Sequence, residues 1–237
     1  MSLMFEEIDY RNTAIGELVL RRRRLRADGD DIWEIKLNDG YLMSSEFVEG
    51  EIALADLALA MIEGDGLDVV VGGLGLGYTA EAVLHDPRVA SLTVVELIPE
   101  VIEWHEKRQL PLGEAVAGDP RCRLLQGDFF ALSRTPDGFG EAARPGHDAI
   151  IVDIDHSTTH FIDDASAGFY SVDAIAALAA GLRPGGVFAL WSTDAEDAAF
   201  TDAMRAVLTD VRVERVEFAT PYRDTPAFNL IYLGRRA

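Results

Sequence analysis

The segment Asp68-Val-Val-Val71-Gly72-Gly73-Leu74-Gly75-Leu76-Gly77-Tyr78-Thr79 runs an apolar strand straight into a glycine-rich turn that opens a helix. Glycines at 73, 75 and 77 let the backbone turn tightly and approach a ligand, and free N–H groups at the helix start favour anionic or polar ligand atoms. Nineteen residues after Gly77, Ser91-Leu-Thr-Val-Val-Glu96 reads as a second strand ending in a carboxylate. An acid at that tip can accept both hydroxyls of a ribose. Gly77 is followed by Tyr78, Thr79 and Ala80, so the Gly-x-x-Gly ending suited to a pyrophosphate is missing. A third strand, Arg123-Leu-Leu-Gln126, ends in Gly127-Asp128-Phe129-Phe130, an acid and aromatic rings where an adenine would lie. An S-adenosyl-type nucleoside, which has no phosphates, fits this pattern better than NAD.

The organisation changes near residue 50. Before it, strand-like runs at Ile15 to Leu25, Ile32 to Leu37 and Tyr41 to Ser44 are separated by the turn sequences Asp28-Gly29-Asp30 and Asn38-Asp39-Gly40, a small β-meander. From Glu49, the positions Ile52, Leu54, Ala55, Leu57, Leu59 and Met61 predict a helix ended at Gly64-Asp-Gly66. Strands and helices then alternate. Strand four is Asp148 to Asp153, a helix covers Val172 to Leu182, a turn and strand five run from Arg183 to Trp191, and another helix covers Ala195 to Leu208. Val211 to Phe218 and Phe228 to Leu233 predict a closing hairpin. The expected fold is α/β: a doubly wound, mostly parallel, methyltransferase-type (Rossmann-like) sheet closed by an antiparallel hairpin, with a β domain over 1–48 and a nucleoside-binding catalytic domain over 49–237.

Forty-one Asp and Glu residues against 21 Lys and Arg give a formal net charge of −20, which repels phosphate backbones and attracts cations. Nucleic acid is therefore not an expected partner, and no run is apolar and long enough to span a membrane. Without a charged and then apolar leader the chain reads as cytoplasmic. Cys122 is the single cysteine, which rules out disulfide frameworks and multi-thiol zinc sites within one chain. The basic run Arg21 to Arg24, with Arg26, reads as an edge strand whose charges block pairing.

Gly72-Gly-Leu-Gly-Leu-Gly-Tyr-Thr, Val95-Glu-Leu-Ile-Pro-Glu-Val-Ile-Glu-Trp104, Gly127-Asp128, Ile151-Val-Asp153, Phe169-Tyr-Ser171 and Leu182-Arg-Pro-Gly-Gly186 resemble the spermidine synthase family over most of residues 36 to 237. The resemblance implies that Glu96 holds the ribose, that Asp128 meets the adenine amino group, and that Leu97 and Ile98 line the base pocket. It implies transfer of an aminopropyl group from decarboxylated S-adenosylmethionine to a small amine, and a homodimer, since related enzymes pair. The chain departs from the family at the chemistry. Aminopropyltransferases carry Asp-Ser-x-Asp-Pro after strand four, where this chain has Asp153-Ile154-Asp155-His156-Ser157; their glycine loop holds an aspartate where this chain has Gly75; and their Tyr-His pair has no counterpart at Gly50-Glu51-Ile52-Ala53.

Asp153 and Asp155 are the expected catalytic acids, because a carboxylate at the carboxyl end of strand four lies where open α/β sheets place ligands and a second one nearby raises one pKa. Gly73, Gly75, Gly77, Glu96, Leu97, Ile98, Asp128 and Phe129 are the expected cofactor residues. Tyr78, His156, Tyr170 and Trp191 are the expected walls of the substrate pocket. His156 and His160 share the four-residue spacing of a metal pair, but Trp191-Ser192-Thr193-Asp194 lacks the Asp-Asn pair of metal-dependent O-methyltransferases, so no metal is expected. Trp104 reads as packing, and His105 as surface. Two alternatives stay open: methyl transfer from S-adenosylmethionine to a small molecule, and a nucleoside-binding protein that has lost catalysis.

Overall fold

The computed structural model describes residues 5–25, 29–135, 138–140, 146–154, 158 and 168–237. Strands β1 (Phe5–Thr13), β2 (Gly16–Arg23), β3 (Ile32–Leu37) and β4 (Gly40–Ser44) form an antiparallel sheet in that order. β1 is absent from the sequence expectation. Its run FEEIDYRNT has no clean apolar alternation and is largely exposed, so only its partner fixes it as a strand. The inner face of the meander carries Leu18, Leu20 and Ile35, all fully buried in one core with the larger sheet.

The basic run is not an edge. β2 lies between β1 and β3, and its arginines are held by acids on neighbouring segments. Arg21 Nε and Arg23 Nε donate to the two oxygens of Glu34 at 2.6 and 2.7 Å, and Arg23 Nη2 also reaches Glu46 at 2.7 Å. Arg22 and Arg24 pair with Asp31, and Arg22 with Glu6. Glu34 is buried, so its charge depends on both guanidinium groups. Arg26 lies outside the described residues.

The second sheet has seven strands in the order β10-β11-β9-β8-β5-β6-β7: β5 (Leu67–Gly72), β6 (Val89–Glu96), β7 (Cys122–Gln126), β8 (His147–Val152), β9 (Leu182–Ser192), β10 (Thr209–Phe218) and β11 (Ala227–Arg235). β5 through β9 run parallel, while β11 and β10 close the sheet antiparallel, as the alternating pattern and final hairpin predict. The two-residue side-chain period divides the core. Val69, Val71, Ala149 and Ile151 join α1 (Glu49–Ala60), α2 (Tyr78–His85) and α3 (Pro99–Glu106) on one face. Val70, Ile150, Val152 and Phe188 join α6 (Val172–Ala180) and α7 (Ala198–Arg205) on the other. Short helices α4 (Gly113–Ala117) and α5 (Phe129–Leu132) flank β7.

Several boundaries shift from the sequence expectation. α7 starts at Ala198 because the Asp197 carboxylate accepts from Ala199 N and Phe200 N and caps the helix there. α6 stops at Ala180, and β9 starts at Leu182, ahead of the Pro-Gly-Gly turn. Among the described residues no helix is long and apolar enough to cross a membrane.

Glu34→Ala should be strongly destabilising, by about 3–5 kcal/mol, because it leaves two partly buried guanidinium groups without their shared anion. Urea unfolding of the variant against wild type measures it; a loss below 1 kcal/mol would mean that solvent already screens the clamp.

Candidate active site

The strands order themselves so that sequence neighbours diverge at β5: β6 lies on one side and β8 on the other. Open α/β sheets bind ligands outside the carboxyl ends of the strands at such a point. Gly72 is in register with Val95 of β6 and Val152 of β8, so three strands end at one level. Asp153 N donates to Gly72 O at 2.9 Å and Gly73 N to Val95 O at 2.9 Å, which locks the three exits together. Gly73 has a φ of +91°, and a Cβ there would strike the carbonyl oxygen of Asp153, so glycine is required by both conformation and space.

Above this level lies a cavity of about 370 Å³, within the size range of small-molecule sites. One end is formed by the glycine loop, Glu96 and the segment from Gly127 to Phe130, and the other by Glu51, Asp153, Trp191 and Asn229. The meander roofs it with Tyr41, Leu42 and Met43. Four carboxylates line the cavity, those of Glu51, Glu96, Asp128 and Asp153, and among the described residues no Lys, Arg or His does. A space so lined favours cations and repels phosphates.

Glu96 closes β6 with its carboxylate buried. Oε2 accepts from Leu74 N at 3.0 Å and Oε1 from Ile98 N at 2.8 Å. Burial raises its pKa, and backbone N–H groups of the glycine loop and the β6 exit oppose that rise. Asp128 caps α5, with both cap bonds, from Phe130 N at 2.9 Å and Ala131 N at 3.2 Å, falling on Oδ1. Phe129 packs under Gly72, and Phe130 and Leu97 also border the cavity.

Asp153 leaves β8 and takes a 2.6 Å hydrogen bond from Thr79 Oγ1, the second residue of α2. Burial pushes its carboxyl up to about 6 despite that bond. Glu51, on the first turn of α1, is 7% exposed, and burial followed by the nearby charge of Asp153 pushes it up to about 8. Sequence reasoning passed over Glu51 and Thr79. The signal for Glu51 is its place on the stripe Glu51, Leu54, Ala55, Ala58 and Leu59, the buried face of α1, where an acid interrupts an apolar series.

Of the expected cofactor residues, the cavity brings together Gly73, Gly75, Glu96, Leu97, Ile98, Asp128 and Phe129. Gly77 is set back: it precedes α2 with a φ of +96°, and a Cβ there would lie 2.8 Å from His105 Cε1. Trp191 lines the cavity, but Tyr78 and Tyr170 do not. Tyr78 bonds Ser45 below the meander, and Tyr170 stands edge-on to Phe169 and Phe200 in the core behind β8 and β9. Asp155, His156 and His160 lie outside the described residues. His105 is not on the surface. It is fully buried with Nε2 3.0 Å from Gly75 O, and burial lowers its pKa, so it is a neutral prop that donates to the glycine loop. Among the described residues no group of three or more His, Cys, Asp and Glu side chains could hold a metal ion.

No protein-family model matches the chain. Over 135 residues, 56% of its length, it is 32% identical to putrescine N-methyltransferase 4 of Nicotiana tabacum, and the same figures hold for putrescine N-methyltransferase 1 of that plant. The matched segment spans about a third of those relatives, 31% and 32% of their lengths. Among solved structures, spermidine synthase from Thermotoga maritima superposes with a TM-score of 0.72 at 18% identity, covering 98% of this chain and 73% of that one. A spermidine synthase in complex with the transition-state analogue AdoDATO gives 0.73 at 18% identity, covering 98% and 74%. A probable spermidine synthase from Corynebacterium glutamicum gives 0.65 at 19%, covering 97% and 79%. The chain therefore has the spermidine synthase fold, meander included.

The buried acids fix a dependence of stability on pH. Glu51 titrates near 4.5 when unfolded and near 8 when folded, so it costs nothing below the lower value, and stability falls as pH rises toward the upper one. Glu51→Gln removes that loss. In chemical unfolding between pH 5 and pH 9 the variant should gain on wild type as pH rises, by roughly 2–4 kcal/mol at pH 9; a gap that stays constant would show Glu51 ionised in the folded protein across the range.

Proposed function

We propose that this chain is a transferase that binds an S-adenosyl nucleoside and moves an alkyl group from its sulfonium to the nitrogen of a small amine. The observation that carries this reading is the cavity lined by four carboxylates and, among the described residues, by no basic side chain. Both partners in such a reaction are cations, and both gain from that field. The sulfonium nucleoside supplies an electrophilic carbon beside a neutral thioether leaving group. In this reading Glu96 takes the ribose hydroxyls, Asp128, Leu97, Ile98, Phe129 and Phe130 take the base, and the acids at the other end hold the amine. The protein's task there is to strip water and a proton from an ammonium group and aim its lone pair.

The main reading is aminopropyl transfer from decarboxylated S-adenosylmethionine, which the fold supports through the spermidine synthases it superposes on. Methyl transfer from S-adenosylmethionine is the second reading, and two observations favour it. The sequence relatives act on putrescine as N-methyltransferases by name. At Gly75, the position of the aminopropyltransferase aspartate, Met43 Sδ occupies the side-chain space, 2.7 Å from where a Cβ would stand and 3.2 Å from Leu76 N, which donates to it. Both readings give the amine the same seat.

Glu96→Gln should weaken methylthioadenosine binding by about 1–3 kcal/mol, the range for hydrogen bonds involving a charged group. Calorimetry with S-adenosylmethionine, its decarboxylated form and methylthioadenosine decides which tail is preferred. Incubation with putrescine and decarboxylated S-adenosylmethionine should release methylthioadenosine, and Asp153→Asn should abolish that release. Unchanged nucleoside affinity in a folded Glu96→Gln variant would remove the cofactor assignment, and no alkylated product from any common diamine with either donor would remove the transferase reading.

We also infer a homodimer. β1 is a sheet edge that exposes Phe5 and Tyr10, at 49% and 42% of their surfaces, and such an edge is usually covered by a second chain or a charge. Light scattering at micromolar concentration should give twice the 25.9 kDa chain mass; a monomer there would refute it.

A further inference from the structure

The acceptor end of the cavity holds two acids that arrive from opposite sides. Asp153 comes from the exit of β8 and is tied to the Thr79 hydroxyl at 2.6 Å. Glu51 comes from α1, is more than nine-tenths buried, and among the described residues takes no hydrogen bond from any side chain. Among these residues its carboxylate accepts only from its own backbone N–H, and a largely buried carboxyl group that lines a cavity without a side-chain partner is open to something that enters. The floor beside it is also unusual. A Cβ on Gly50 would collide with Asn229 Oδ1 and lie 2.5 Å from Trp191 Nε1, so the glycine lets an amide and an indole reach the foot of Glu51. Trp191 Nε1 is itself buried without a partner.

We propose that the two acids divide the work on the acceptor amine: Asp153 supplies the fixed negative charge that holds the ammonium group, and Glu51 takes its proton. The division rests on the transferase reading and deepens it. Asp153 is anchored by a hydroxyl that stabilises its anion, whereas Glu51 has only its own backbone N–H. The Thr79 bond therefore favours the anion at Asp153, and a charge there favours the proton on Glu51. A base is effective when its own affinity for protons approaches that of the group it deprotonates, and burial with the charge of Asp153 moves Glu51 toward an amine. The described titratable groups around Glu51 are Asp153, Tyr78 from α2 and Glu49 on its own helix, while β9, β10 and β11 bring the uncharged Trp191, Phe218 and Asn229 to the cavity.

The step balances without a further reagent. Entry of the ammonium group beside Asp153 drives the resting proton of Glu51 to solvent, and the Glu51 carboxylate then accepts a proton from the ammonium. The amine lone pair forms the N–C bond while the C–S bond breaks and its electron pair stays on sulfur. The positive charge of the sulfonium ends on the product nitrogen, and Glu51 releases its proton to solvent.

Binding tests this apart from turnover. Putrescine is titrated into protein saturated with methylthioadenosine at pH 7, in buffers of differing ionisation enthalpy. Wild type should release close to one proton on binding, Glu51→Gln should release none and bind putrescine at least tenfold more weakly, and Glu51→Asp should recover part of the proton release. Methylthioadenosine affinity should stay within twofold in both variants, which separates a lost amine seat from a misfolded chain. Equal proton release in wild type and Glu51→Gln would overturn the role of Glu51 while leaving the transferase reading intact. Failure of the folded wild-type protein to bind methylthioadenosine would overturn both.

Discussion

Everything at the cavity depends on three strands ending at one height. The hydrogen bonds from Asp153 N to Gly72 O and from Gly73 N to Val95 O join the exits of β5, β6 and β8 into a single rim. The rim then dictates where chemistry can occur. Glu96 closes one strand and Asp153 follows another, so the register of a parallel sheet sets their separation, and no loop has to find it. The glycine loop between them cannot gain a side chain at position 73 without pushing Asp153 away, which makes the loop and the acid one structural unit.

The net charge of −20 gains a physical meaning from its distribution. Where acids meet bases they neutralise each other, as in the Glu34 clamp of β2 and β3. In the cavity, among the described residues, they do not meet bases, and Glu51 and Glu96 are buried where water screens charge poorly. Burying carboxylates without an opposite charge is unfavourable; burial raises the pKa of Glu51, Glu96 and Asp153, and a retained proton would remove part of that cost. A cationic ligand would relieve the remainder. The empty site is thus least stable at alkaline pH, and that instability and the proposed affinity for a cation have one origin.

The sequence is most legible where the determining interactions are local. The apolar strand, the glycines and the acid nineteen residues on lie within a short span, and the sheet order follows from their alternation with helices. Legibility falls where position depends on a distant partner. β1 is recognised only beside β2, and the arginine run reads as an edge until β1 is present to cover it. His105 looks polar enough for the surface, yet its ring is needed to support Gly75. Tyr78 and Tyr170 carry the residue type of a pocket wall, but each is drawn into packing by neighbours far away in the chain, Ser45 and Phe200.

Glu51 is the instructive case. A search for catalytic acids along the chain looks at strand exits, because that is where open sheets put them, and α1 is not one. The helix that carries Glu51 precedes β5 and packs across β8, β9 and β11, so its first turn comes to the same rim from above. Its sequence contains the clue in a different form: an acid four residues before Ala55 and on the face that buries Leu54, Ala58 and Leu59. A charged residue on an apolar stripe contradicts the local pattern, and such contradictions are expected at sites where function outweighs stability. Replacing it by an apolar residue would improve the helix and the core together. An acid there, beside a glycine that clears the way for Trp191 and Asn229, is the local cost that a site for a cationic ligand, as proposed above, would carry.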